Sequence, residues 1–311
     1  MKKFKKVLAG AAVMLVALMV TACSGKSKSD NSSSNGTPKS LNVQFVPSQA
    51  ATELESRAKP LEKMLSDRLG IPVHVSMSTD YNTVVEAMKS KKVDVGFLPP
   101  SGYVLAHKQG AADVLLQAQR YGVKQPGGRP TKDLVNFYRA EILVKKGSGI
   151  KSWKDLKGKS ISIQSPTSSA GYVYPIAELK EKGLDVKKSC KLVTVTGQDQ
   201  SVLNVLNGDT DAAFVFEDAR TIVKKDNPKI MDQVVPIYFT KPIPNDTISV
   251  VPSMSKSFRK KLANAFIDIG KSKKGKKIIE SIYTHEGYVP SKDSDFDTVR
   301  KYDKIVASTK K

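Results

Sequence analysis

From residue 41 to residue 239, short apolar runs alternate with segments of helical spacing, and this alternation restricts the chain to few folds. Strand-like runs fall at 41–46, 71–75, 93–98, 136–146, 160–164, 191–195, 212–216 and 234–239. Apolar residues recur at helical spacing in 53–69, 82–89, 103–108, 172–182 and 201–206. Such a pattern predicts an α/β fold with mostly parallel sheets flanked by helices. Two clusters are expected, 41–118 and 136–239. Helical segments at 256–269, 274–283 and 298–306 must then pack back on the first. That gives a two-lobed clamshell with two hinge crossings: lobe 1 from 41–138 plus 242–311, lobe 2 from 139–241. The stretch 121–133 holds Gly, Pro and Arg without periodicity and reads as a loop, and 218–225 reads as a helix.

Ligands of open α/β sheets sit outside the carboxyl ends of the strands. The loops at 47–49, 78–81, 98–101, 165–171, 196–200 and 217–218 are therefore the site candidates. The sequence SPTSSAGY at 165–172 stands out among them. Hydroxyl residues, a Pro and a Gly lie where a helix begins, and free N–H groups there suit a tetrahedral oxyanion. The same residues also suit an ordinary capped strand-to-helix turn.

The first residues address the chain outside the cytoplasm. Lys2, Lys3, Lys5 and Lys6 precede an apolar run at 7–20, followed by Val-Thr-Ala-Cys ending at Cys23. A basic start, a short apolar run and small residues before a cut form a secretory signal. Cys23 directly after those residues resembles a lipobox. This implies a signal peptide of residues 1–22, lipid on Cys23, and a globular part held at the outer face of a membrane. Residues 24–40 offer little that can pack and read as a flexible tether. Cys190 is the other cysteine of the chain, so no intramolecular disulfide is expected.

The formal net charge of +21 comes from lysines scattered along the chain. Basic runs without interleaved aromatics or a recognition motif argue against nucleic acid. An anionic surface, an anionic ligand or a merely solvated face all remain open. Enzyme signals are poor. His74, His107 and His285 are isolated, Trp153 stands where a phosphate-binding loop before Gly158-Lys159-Ser160 requires Gly, and Cys190 has no evident base. No enzyme activity, cofactor or metal is expected.

The ordered set LNVQFVPS at 41, TDYNTVVEAM at 79, KVDVGFLPPSGYVLA at 92, GIKSWKDLKGKSISI at 149, SPTSSAGYVYP at 165, NGDTDAAFVFEDA at 207 and IPNDT at 243 resembles the phosphate/phosphite/phosphonate-binding proteins of ABC importers. These have the type II solute-binding fold. The resemblance implies capture of a small phosphorus anion between two lobes and delivery to a permease with its ATPase, by a monomer. It also implies site residues: Tyr81; Ser168, Ser169, Ala170 and Gly171 in the oxyanion loop; Gln198 where relatives have His; and the carboxylates Asp218 and Asp246. Ser101, in the loop after the third strand, joins the set. Ala170 lacks the hydroxyl the family loop carries there, and Leu98-Pro99-Pro100 replaces an aromatic wall. Carboxylates opposite an oxyanion cradle suit a ligand with an amine at its other end. A clamshell lipoprotein serving as a sensor, or as an adhesion or wall-polymer-binding protein, is the alternative.

Overall fold

The computed structural model describes residues 36–126 and 128–308. The chain opens with β1 (Leu41–Phe45), α1 (Ala51–Ala58), α2 (Pro60–Leu69), β2 (Val73–Met77), α3 (Tyr81–Lys89), β3 (Val95–Leu98) and α4 (Pro100–Lys108). It continues through β4 (Asp113–Lys124), β5 (Arg129–Val135), β6 (Phe137–Tyr138), β7 (Ala140–Lys145), β8 (Ser160–Ile163), α5 (Tyr174–Glu181), α6 (Val186–Ser189), β9 (Lys191–Thr194), α7 (Gln198–Asn207) and β10 (Ala212–Phe216). It ends with α8 (Ile230–Gln233), β11 (Val234–Phe239), β12 (Ile243–Pro244), β13 (Thr247–Val250), α9 (Lys256–Lys271), α10 (Lys273–Tyr283), β14 (Gly287–Pro290) and α11 (Asp297–Ala307).

Two sheets form a clamshell. The first runs β14-β4-β13-β3-β1-β2, with β5 added to β4; the second runs β11-β7-β10-β8-β9. A short ribbon of β6 and β12 lies between them in sequence, pairing Tyr138 with Ile243 and Phe137 with Pro244. The expected mostly parallel order holds only in part. β1 is parallel to β2 and β3, and β8 to β9 and β10, whereas β13, β4, β14 and β5 pair antiparallel, as do β7 and its neighbours. The reason lies in the crossings. β7 follows β6 and β13 follows β12, so each enters its sheet from the hinge end and runs against strands that finish there.

The stretch 121–133 is not a loop. Tyr121 pairs with Leu134 and Val123 with Pro130, making a hairpin of β4 and β5. The expected helix at 218–225 is only a 3-10 turn, Ala219–Thr221. The last residues of the expected tether are packed: the Ser255 N–H donates to the Gly36 carbonyl at 2.9 Å, and Pro38 is buried.

Packing follows the strand period of two. On the second sheet Ile142, Val144 and Phe214 face one apolar cluster, with Leu156, Ile176 and Leu179. Leu143, Ala213 and Val215 face the other, with Val202, Val205 and Ile230. A larger cluster fills the first lobe around Phe45 and Phe97, whose rings stack at 4.0 Å. It also takes in Ala170, Val173, Tyr174 and Ala177 from the other side of the cleft. The terminal helix α11 touches both sides. Tyr302 donates to Glu178 of α5 at 3.1 Å, while the Phe296 ring just before α11 lies 4.8 Å from that of Tyr103 on α4.

Candidate ligand site

The carboxyl ends of β1, β2, β3 and β10, together with the helix starts after β8 and β9, converge on a cavity of about 60 Å³. Tyr81 opens α3, one residue after Asp80, which caps the helix through the Asn82 N–H at 2.7 Å. Gln198 opens α7. Its Oε1 accepts from the Phe216 N–H at 2.7 Å, and its own N–H donates to the Ser48 carbonyl at 3.0 Å across the cleft. Ser168 precedes a π-helical turn, Ser169–Val173, and its Oγ accepts from the Gly171 N–H at 3.2 Å. That bond leaves the Ser168 O–H as a donor, and the first N–H groups of the turn lack helical partners.

Three buried donors on the cavity wall have no hydrogen-bond partner: the Tyr81 hydroxyl, the Asn245 amide nitrogen and the Arg120 Nε. Buried polar groups are ordinarily satisfied, so three such donors on one wall mark an acceptor site. Burial pushes the Tyr81 phenol well above its ordinary range, with Asp246 adding to the effect. The hydroxyl therefore stays protonated and donates. The Gln198 and Ser168 side chains stand within reach of the phenol and partly oppose that rise, without either closing a well-aligned hydrogen bond to it.

Arg120, on β4, supplies the positive charge. Its Nη2 donates to Asp218 at 2.6 Å and to the Thr284 hydroxyl at 2.9 Å. The guanidinium carbon stands 5.8 Å from the centre of the Tyr138 ring and 5.9 Å from that of Phe216. Asp246, on the same wall, has His285 Nε2 at 3.7 Å. Burial raises the Glu217 carboxyl, although it accepts from the Arg139 N–H at 3.1 Å and from Gln125 at 3.3 Å.

Of the residues expected from sequence, Tyr81, Ser168, Gln198 and Asp246 line the cavity. Ser101, Ser169, Ala170, Gly171 and Asp218 do not. Ser169 instead meets Ser101 across the cleft, Asp218 sits behind Arg120, and Ala170 packs in the apolar core. Cys23 lies outside the described residues. Sequence reasoning missed Arg120 and Asn245. Asn245 had a signal, its place beside Asp246 in IPNDT; Arg120 had none.

No group of three metal-ligating side chains occurs among the described residues. The Cys190 thiol donates to the Leu156 carbonyl at 3.1 Å, and burial pushes its pKa up, so its lysine neighbours do not activate it.

Residues 43–296 match the family model described as ABC transporter, phosphonate, periplasmic substrate-binding protein. The chain belongs to this family. Its members are substrate-binding components of transporters, not enzymes. The phosphate-import protein PhnD of Mycolicibacterium smegmatis is 32% identical over 213 residues, 66% of this chain and 64% of that protein. The chain thus spans slightly less than two thirds of that relative's length. The phosphonates-binding periplasmic protein of Escherichia coli is 22% identical, over 82% of this chain and 72% of its own. In fold, the chain is similar to PhnD1 of Prochlorococcus marinus, solved in complex with methylphosphonate. The TM-score is 0.73 at 18% identity, covering 86% of this chain and 97% of that one. These matches agree with an extracytoplasmic place for the chain.

Proposed function

We propose that this family member captures a small phosphorus oxyanion in the cavity between its sheets and delivers it to a permease–ATPase pair, held to the outer membrane face through Cys23. In this reading lobe 1 is residues 41–138 with 242–311, lobe 2 is 139–241, and the β6–β12 ribbon is where they turn. The observation that carries it is the set of unpartnered donors, Tyr81 Oη, Asn245 Nδ2 and Arg120 Nε, on three residues that line one small cavity beside Ser168.

Size supports a compact ligand. A buried water occupies about 10–15 Å³ by this measure, so about 60 Å³ accommodates only a handful of heavy atoms. Strength suffices: a charge-assisted hydrogen bond contributes about 1.5–3 kcal/mol, and micromolar binding requires about 8 kcal/mol. Asp246 adds selectivity. A carboxylate repels a fully deprotonated oxyanion but accepts from a P–OH, which sulfate lacks at neutral pH. The relatives' names, for phosphate, phosphonates and a methylphosphonate complex, fall in the same chemical class.

The test is a thermal-shift panel of phosphate, phosphite and methylphosphonate, with sulfate as control. The phosphorus anions are expected to raise Tm and sulfate to leave it unchanged. A Tm that no phosphorus anion moves would overturn the reading.

A further inference from the structure

The charged groups of the cavity are not arranged as the sequence implies. Asp218 is the carboxylate expected to face a ligand's amine, and it is already engaged. Arg120, only 6% exposed, reaches it from the opposite sheet at 2.6 Å. The guanidinium is also held by Thr284 and stands near the faces of Tyr138 and Phe216, so its position is fixed from several sides. Arg120 lines the cavity with its Nε buried and unpartnered, and Asp218 stays off the wall.

We infer that Arg120 is a specificity-determining residue: its guanidinium takes, from within the chain, the place of a ligand ammonium group against Asp218, so the cavity accepts small phosphorus anions without an amine and rejects aminoalkyl phosphonates. The inference rests on the oxyanion reading of the cavity given above. An ammonium group entering beside Arg120 meets a fixed like charge and finds Asp218 Oδ2 taken, with only the buried Oδ1 left, and like-charge juxtaposition in a desolvated site is a strong means of rejection. Asp246 does not rescue it. That carboxylate already shares the field of Arg120, and a cavity of about 60 Å³ favours the more compact anion.

Calorimetry on the full-length protein at pH 7.5 tests this, with methylphosphonate and 2-aminoethylphosphonate as probes. The wild-type chain is expected to bind methylphosphonate and to bind the aminoethyl compound at least about 100-fold more weakly, the order expected for burying an unpaired charge. Arg120→Gln, which frees Asp218, is expected to lose affinity for methylphosphonate and to narrow the ratio to within about tenfold. Equal wild-type affinity for the two compounds overturns the inference while leaving the oxyanion reading intact. An unchanged ratio in a folded Arg120→Gln variant also overturns it. Binding of neither phosphonate, nor of phosphite or phosphate, sinks the underlying reading instead. Should the variant fail to fold, the wild-type ratio alone decides.

Discussion

The Ser169 hydroxyl accepts from the Ser101 backbone N–H at 2.9 Å and lies 3.1 Å from the Ser101 hydroxyl, joining the loop after β8 to the start of α4 across the cleft. Both residues are buried, so the bond belongs to the closed arrangement. Removing the acceptor in Ser169→Ala strands a buried N–H, at a cost of about 1–3 kcal/mol. Methylphosphonate is expected to bind about tenfold more weakly or worse, mainly through faster release. Stopped-flow dissociation checks this, and an unchanged off-rate would show that the pair does not hold the cleft shut.

Gln198 tests the polarity of the wall. Gln198→Glu keeps an acceptor for the Phe216 N–H but replaces the amide NH2 with negative charge beside Tyr81. Anion affinity should fall more than about 100-fold, because like charges in a desolvated site repel strongly, and the free protein should melt lower as well, since the new carboxylate is a buried charge. A variant that retains affinity would place the anion elsewhere.

Gly171 is needed for space rather than for backbone angle. A Cβ there would collide with Gln164 Oε1. Gln164 is fully buried and donates to Ser201 at 2.6 Å, so it has nowhere to move. Gly171→Ala is therefore expected to lower stability by about 1–3 kcal/mol, measured as a fall in urea midpoint.

Asp303, on α11, gives a pH signature. Burial pushes its carboxyl up to about 6 from 3.8, against the smaller effects of Ser101, Arg300 and Lys108. The folded chain thus holds this proton more tightly than the unfolded one. Its contribution to stability is full below about pH 4, falls as pH rises through about 6, and stays lost above. Asp303→Asn should be more stable than wild type at pH 7.5, by about 1 kcal/mol after discounting for partial exposure. That gain should vanish near pH 4. Urea melts across this range would read it directly.

Much of the clamshell was legible because its buried strands carry apolar runs, as in AAFVF of β10 and ILV within β7. The loops at their ends were legible for the same reason. The β4–β5 hairpin was not, because β5 is largely exposed and shows no apolar alternation. Its pairing is set by the length of β4, which runs past the sheet. In the site, Tyr81, Ser168 and Gln198 came from the family resemblance, and they lie in loops that the strand ends had already marked as candidates. Arg120 was hidden among 51 basic residues. Nothing in composition separates a guanidinium that stands near two aromatic rings from those that face water.

Helix α11 has its own consequence. Lys180 of α5 donates to the Ile305 carbonyl at 3.0 Å, and Tyr302 reaches Glu178, so its later turns hold to the second sheet's helices. At its start, Arg300 donates to the Asp293 carbonyl at 3.0 Å, and Asp293 accepts from Tyr103 of α4 at 2.7 Å. Separating the two sheets must therefore break one set of bonds or the other as a unit. The chain's last helix is thus a strap across the jaw, and opening has to release its hold on one side.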